Sequence, residues 1–223
     1  VPVRNRLAAL VLVLLLGVAQ ATILYHAAGA RQSLAEEEIL VGVLPSPALK
    51  VLSGEFDGVF ADFLFLRAIV LYGGISGDRA LEPHEWQWLY QTLKASAGLD
   101  PYFLDPYYFA NATLPWGGGL VLETNQLLQQ GSDYRSWDWA LPFYLGFNSF
   151  YFLHEDEAAS RHLMEAARRT DKNAFLVTLA ARLAYKADRT GNAIAFLEQI
   201  IKTRSGPSRE GFQLRLDALK GIY

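Results

Sequence analysis

The sequence predicts an all-α protein: one N-terminal transmembrane helix followed by an α-solenoid of antiparallel helix pairs. Three observations lead there. Leu7 to Ala28 forms a 22-residue apolar stretch without Asp, Glu, Lys or Arg, close to the ~20 residues that cross a ~30 Å hydrocarbon core as a helix. Beyond it, apolar residues recur at helical spacing, and no stretch alternates with the period of two expected of a half-buried strand. In the last third of the chain a pattern of small and large apolar residues returns at one constant offset, from 159 to 193.

The membrane segment is preceded by Arg4 and Arg6 and followed by Arg31 and then the acidic run Glu36, Glu37 and Glu38. Basic residues stay on the cytoplasmic side, so this asymmetry predicts a cytoplasmic N-terminus and an extracytoplasmic remainder. The domain plan is then a stub and signal-anchor helix at 1–30, a linker at 31–47 and a helical domain at 48–223. Ala28-Gly29-Ala30 also has the small-x-small form of a signal-peptide cleavage site. The alternative is therefore a secreted periplasmic module, binding a peptide or a small molecule, released after Ala30. Because the apolar stretch exceeds the 7–15 residues usual for a signal peptide, the anchor is the primary expectation.

Composition narrows the chemistry. Of 223 residues, 52% are apolar, enough for one core and at most two domains. A net charge of −3 without a clustered basic face predicts no nucleic-acid partner. The chain has no cysteine, which rules out disulfides, thiolate metal sites and cysteine nucleophiles.

The elements follow in order. Pro45-Ser46-Pro47 ends the linker. Residues 48–72 read as a buried amphipathic helix closed by Gly73-Gly74, with Asp62 and Arg67 each facing water or a neighbouring helix. Residues 82–97 carry Trp86, Leu89, Tyr90 and Leu93 at helical spacing. Asp100-Pro101 and Asp105-Pro106 each suggest an N-cap with proline in the first turn, so 102–113 is expected to be helical. A turn at 115–119 precedes a helix at 120–130 that stops at Gly131. Helices at 136–153, 156–169, 173–187, 192–203 and 208–219 complete the series, the last capping the stack with a polar outer face.

The recurrence is specific. Ala159, Leu163 and Ala166 return as Ala193, Leu197 and Ile200, each thirty-four positions further on. Ahead of each set, Phe143, Leu145-Gly146 and Phe150-Tyr151 correspond to Val177, Ala180-Ala181 and Tyr185. A poorer match, Thr124, Leu128 and Gly131, lies thirty-five positions before the first set. These residues and this period resemble the tetratricopeptide-repeat family, a helix-turn-helix unit of about 34 residues. Repeats are expected at about 139–170 and 173–203, a weaker one at 104–133 and a degenerate one at 55–99. The resemblance rests on spacing more than identity: the last unit lacks the first-helix tryptophan and the glycine, and no proline follows Arg169. With its membrane helix, the layout is similar to anchored tetratricopeptide proteins of bacterial envelopes. That resemblance implies a bacterial inner-membrane location and a protein-binding scaffold, a subunit or assembly factor of an envelope complex, whose partners are other membrane or envelope proteins.

In such a repeat the first helices line the concave face. The register places Phe143, Phe147, Phe150 and Tyr151 there from one unit, and Thr178, Arg182, Tyr185 and Lys186 from the next. The first four are too aromatic for an ordinary solvated surface, so either this chain or a partner is expected to cover them. Tyr107, Tyr108, Trp116, Trp137 and Trp139 are weaker candidates. Catalytic residues, metal ligands and cofactors are not expected. His26, His84, His154 and His162 form no ligand set, and there is no Gly-x-Ser-x-Gly or His-Glu-x-x-His. Neither Gly117-Gly118-Gly119 nor Gly73-Gly74 has the Gly-Lys-Ser/Thr ending of a phosphate loop. Glu155-Asp156-Glu157 is expected to favour the positive end of a helix dipole.

Overall fold

A computed structural model describes residues 16–23, 25, 44–203 and 208–221. The chain divides into two compact units, Val1–Val43 and Leu44–Tyr223. In the first unit, residues 16–23 and 25 are helical and exposed, and the Thr22 hydroxyl donates to the Val18 carbonyl at 2.8 Å. The remainder of the expected membrane helix and most of the linker lie outside the described residues.

The second unit is all-helical, with no strand among the described residues. Its elements are α1 (Ser46–Ser53), α2 (Asp57–Ser76), α3 (Pro83–Leu99), α4 (Asp105–Thr113), a π-helical turn (Leu114–Gly118), α5 (Val121–Tyr134), α6 (Ala140–Tyr151), α7 (Asp156–Arg168), α8 (Ala174–Lys186), α9 (Thr190–Thr203) and α10 (Ser208–Leu219). Each helix from α5 to α10 packs on the next, as short connections require. α3 is the hub of the N-terminal part, touching α1, α2, α4, α5 and the π-helical turn.

Several expectations need correction. The single helix expected at 48–72 is split by a short 3-10 turn at Gly54–Phe56. Gly54 there takes φ 57°, a left-handed conformation that glycine adopts at little cost. α2 then runs through Gly73-Gly74 to Ser76, because glycine inside a helix weakens it without ending it. Nor is α2 buried all round: Ala61, Leu64 and Ala68 pack inward while its opposite side stays exposed. Asp100 closes α3 and does not open a helix, and Pro101 lies in the turn that follows. α5 passes Gly131 and ends at Tyr134, and α6 begins at Ala140, not at 136.

The glycine run at 117–119 divides its labour. A Cβ on Gly117 would collide with the Trp86 ring, and one on Gly118 would lie 3.0 Å from Trp86 Cδ2, so the bare backbone lets the indole of α3 pack against it. Gly119 supplies the left-handed residue, φ 66°, that turns the chain into α5. Aromatic edges join the same region: Phe65 meets Phe103 at 5.2 Å and Phe109 at 6.0 Å, and Tyr72 meets Phe109 at 5.4 Å.

The recurrent small residues are equivalent in burial. Thr124, Leu128, Ala159, Ala166, Ala193 and Leu197 have no exposed surface, and Leu163 and Ile200 have 2%. A second recurrence is geometric. Among the described residues, His154 and Asp188 are the non-glycine positions with positive φ, at 57° and 56°. With Gly119 they form three left-handed turns, and each precedes its buried small residue (124, 159, 193) by five positions. Each follows the preceding helix and turns the chain into the next: after His154 the Glu155 N–H bonds the Ser149 carbonyl at 2.9 Å, and after Asp188 the Arg189 N–H bonds that of Ala184 at 2.8 Å. Gly146 lets α6 approach α7, since a Cβ there would fall 2.7 Å from Leu163 Cγ and 3.1 Å from the Ala159 carbonyl oxygen.

Polar ties fix the packing. The Arg169 guanidinium, at the end of α7, donates to the carbonyls of Ser132 at 3.1 Å, Arg135 at 3.3 Å and Asp138 at 3.1 Å, holding the α5–α6 connection. Asn148, 1% exposed, donates from its amide to Asn111 Oδ1 at 3.0 Å and Asn125 Oδ1 at 2.9 Å, linking α6 to α4 and α5. Before α3, Arg79 donates twice to the buried Glu85, at 2.8 and 2.6 Å. This pairing holds the Glu85 carboxyl below the usual carboxylate range despite burial. In α10, Phe212 and Leu216 enter the core shared with α8 and α9.

Candidate protein-interaction cleft

The C-terminal ends of α6 and α8 and the first turn of α7 enclose an open cleft of about 560 Å³, lined by Phe150, Tyr151, His154, Asp156 and Lys186. Its geometry follows from the local sequence. Phe150 and Tyr151 stand in the last turn of α6, where the aromatic run ends. The left-handed turn at His154 sends the chain back so that Asp156 opens α7. Lys186 in the last turn of α8 reaches Asp156, Nζ to Oδ2 2.7 Å, and lies 5.9 Å from the Phe150 ring centroid. The ammonium is thus held between a carboxylate and an aromatic face, contributing both a charge pair and a cation–π contact.

An aromatic group borders the cleft. Phe147 and Tyr151 stack at 5.4 Å with 9° between their planes. Trp116, from the π-helical turn, reaches Tyr151 at 5.4 Å and Phe152 at 4.9 Å. These rings interlock with one another, so they present a wall and leave no cage for a cation between them.

The eight residues expected on the concave face separate into three sets. Phe150, Tyr151 and Lys186 line the cleft, and Arg182 and Tyr185 are exposed on α8. Phe143 is partly buried, packing on the core cluster and on Trp139 and Tyr144. Phe147 is half-buried within the aromatic group, and Thr178 is half-buried on α8. The aromatic face is therefore covered in part by this chain, at Phe143 and Phe147, and left open at Phe150 and Tyr151.

Sequence reasoning misses His154 and Asp156. It assigns the acidic first turn of α7 to the helix dipole alone, yet Asp156 pairs with Lys186 across helices, and Glu157 pairs with Arg189 at 3.1 Å and Arg161 at 3.4 Å. The hydrogen bond from Arg189 holds the Glu157 carboxyl below its ordinary range. Burial lowers the pKa of His162, on α7, favouring its neutral form. No group of three or more potential metal ligands occurs among the described residues.

The cleft can receive a side chain or a short peptide segment. Its rings supply apolar contact area, and its single ion pair supplies orientation. Compared with known proteins, the chain matches no family model and no curated protein.

Proposed function

We propose that the chain is a membrane-anchored scaffold of tetratricopeptide type that holds another envelope protein, with residues 7–28 as its anchor in a bacterial inner membrane and its helical domain outside the cytoplasm. The observation that carries this reading is the cleft itself. Exposed Phe150 and Tyr151 at the end of α6 line it together with the Lys186–Asp156 pair between α8 and α7, and Arg182 and Tyr185 are exposed on the same helix as Lys186. Aromatic side chains and arginine are the usual anchors of protein interfaces, because they bury large areas at small entropic cost. The repeat type is supported by the recurrence of buried small residues at 124, 159 and 193 together with the left-handed turns at 119, 154 and 188.

The test is a photo-crosslinking amino acid in place of Tyr185 in the full chain, expressed in native membranes. A discrete protein adduct is expected, and Tyr151→Ala combined with Arg182→Ala should reduce its yield several-fold while far-UV circular dichroism stays unchanged. The absence of an adduct, or an adduct insensitive to that double substitution, would refute the assignment.

A further inference from the structure

α2 carries an apolar face that no other described residue covers. Val59, Phe63, Leu66 and Val70 are 64, 62, 58 and 64% exposed, whereas Ala61, Leu64 and Ala68 on the other side are buried. At about 100° per residue the four exposed side chains fall within roughly 30° of a single line along the helix, opposite the buried three. Phe56 and Phe60 widen the stripe on one side. By the same helical geometry Asp62 and Arg67 flank the stripe at about 70° on either side.

We propose that this face lies in the interfacial region of a lipid bilayer, with the axis of α2 in the membrane plane. The inference rests on the anchored reading, which supplies the bilayer. An 18-residue stretch within Ser46–Ser76 reaches a mean hydropathy of 1.7, so the exposed side of α2 is compatible with lipid. Crossing would place Asp62, exposed on α2, in hydrocarbon, where charge is heavily penalised. Lying flat, with the stripe immersed about 5–10 Å, keeps Asp62 at headgroup level and leaves the α3 side, where Arg67 lies 5.5 Å from the Trp88 ring centroid, facing away from the membrane. A protein helix is a poorer occupant. Packed membrane helices favour small residues at the contact; on this face they are confined to the last turn, at Gly73 and Gly74, and from Phe56 to Val70 the stripe carries Phe, Val and Leu. Distance also permits it: Pro45 follows Ala28 by seventeen positions, at most ~60 Å of extended chain.

The chain lacks cysteine, so single nitroxide labels can be placed cleanly. The experiment puts Phe63→Cys, Leu66→Cys and, as a water-facing control on α5, Gln126→Cys in the full chain, reconstituted with vesicles of phosphatidylethanolamine and phosphatidylglycerol. Flotation reports membrane attachment, and collision rates with oxygen and with a nickel chelate report each label's surroundings. The expected result is flotation, with an oxygen-to-nickel ratio several-fold higher at 63 and 66 than at 126. A chain that floats but leaves residue 63 open to nickel overturns the interfacial helix and spares the anchor. Exclusion of both reagents at 63 means that protein covers the stripe and likewise overturns the proposal. A chain that does not float overturns both readings.

Discussion

A single side chain can stand in for a missing sequence signal. The proline that would close a repeat is absent after Arg169, yet Arg169 itself ties the end of α7 to three carbonyls of the α5–α6 connection. It also donates to Glu165 at 3.0 Å. Its side chain is 12% exposed, so its loss leaves those carbonyls short of donors in a largely buried place. We expect Arg169→Ala to destabilise the domain by about 2 kcal/mol, because the three carbonyls lose the one nitrogen, Nη1, that donates to all of them. Denaturant unfolding of the two proteins measures this, and an unchanged midpoint would show the tie to be dispensable. Asn148 is the other case. It sits in an aromatic run that reads as core, yet its amide is what joins three helices, a role no pattern of apolar spacing reveals.

At the scale of the element, the inter-helix turns are more regular than the residues that make them. The left-handed positions are Gly119, His154 and Asp188, and only the first carries the residue that advertises such a turn. A left-handed backbone costs a residue with a Cβ roughly 1–2 kcal/mol. Gly119→Ala should therefore destabilise by about 1–2 kcal/mol through backbone strain alone, as a Cβ there meets nothing within 4 Å. Asp188→Gly at the equivalent turn should leave stability unchanged or raise it. Thermal melts of both variants check the pair: if the two respond with the same sign, the turns are not equivalent.

For the whole molecule, stability in a chain of sequentially packed helices is close to a sum of neighbour interfaces. The last interface is made by α10, whose Phe212 and Leu216 are each 5% exposed. Removing residues 204–223 should cost about 4 kcal/mol, at roughly 1.5–3 kcal/mol for each buried large apolar side chain. The α9 amides should lose hydrogen-exchange protection before those of α6 and α7. Uniform loss across the domain would mean that it folds as one cooperative block. The same sequential packing leaves room for two separate surfaces, the cleft at the ends of α6 and α8 and the apolar side of α2.

Local and periodic features are legible in the chain alone. Helical spacing, proline and glycine placement and the constant offset from 159 to 193 suffice for the all-α class, the order of helices and the equivalence of Ala159 with Ala193, because each depends on residues within a few turns or on direct repetition. Helix ends are less legible: glycine reads as a stop at Gly73 and Gly131, yet the helix runs on through both, exposed at the first and packed on the Tyr107 ring at the second. Which aromatic residues stay open is a matter of tertiary packing. Phe143 and Phe150 share one helix and one chemistry, yet one packs on the core and the other lines a cleft with Lys186 and Asp156. Exposure depends on which distant elements arrive alongside, here Trp116 from the π-helical turn and Lys186 from α8, and periodicity along a chain carries no information about that arrival.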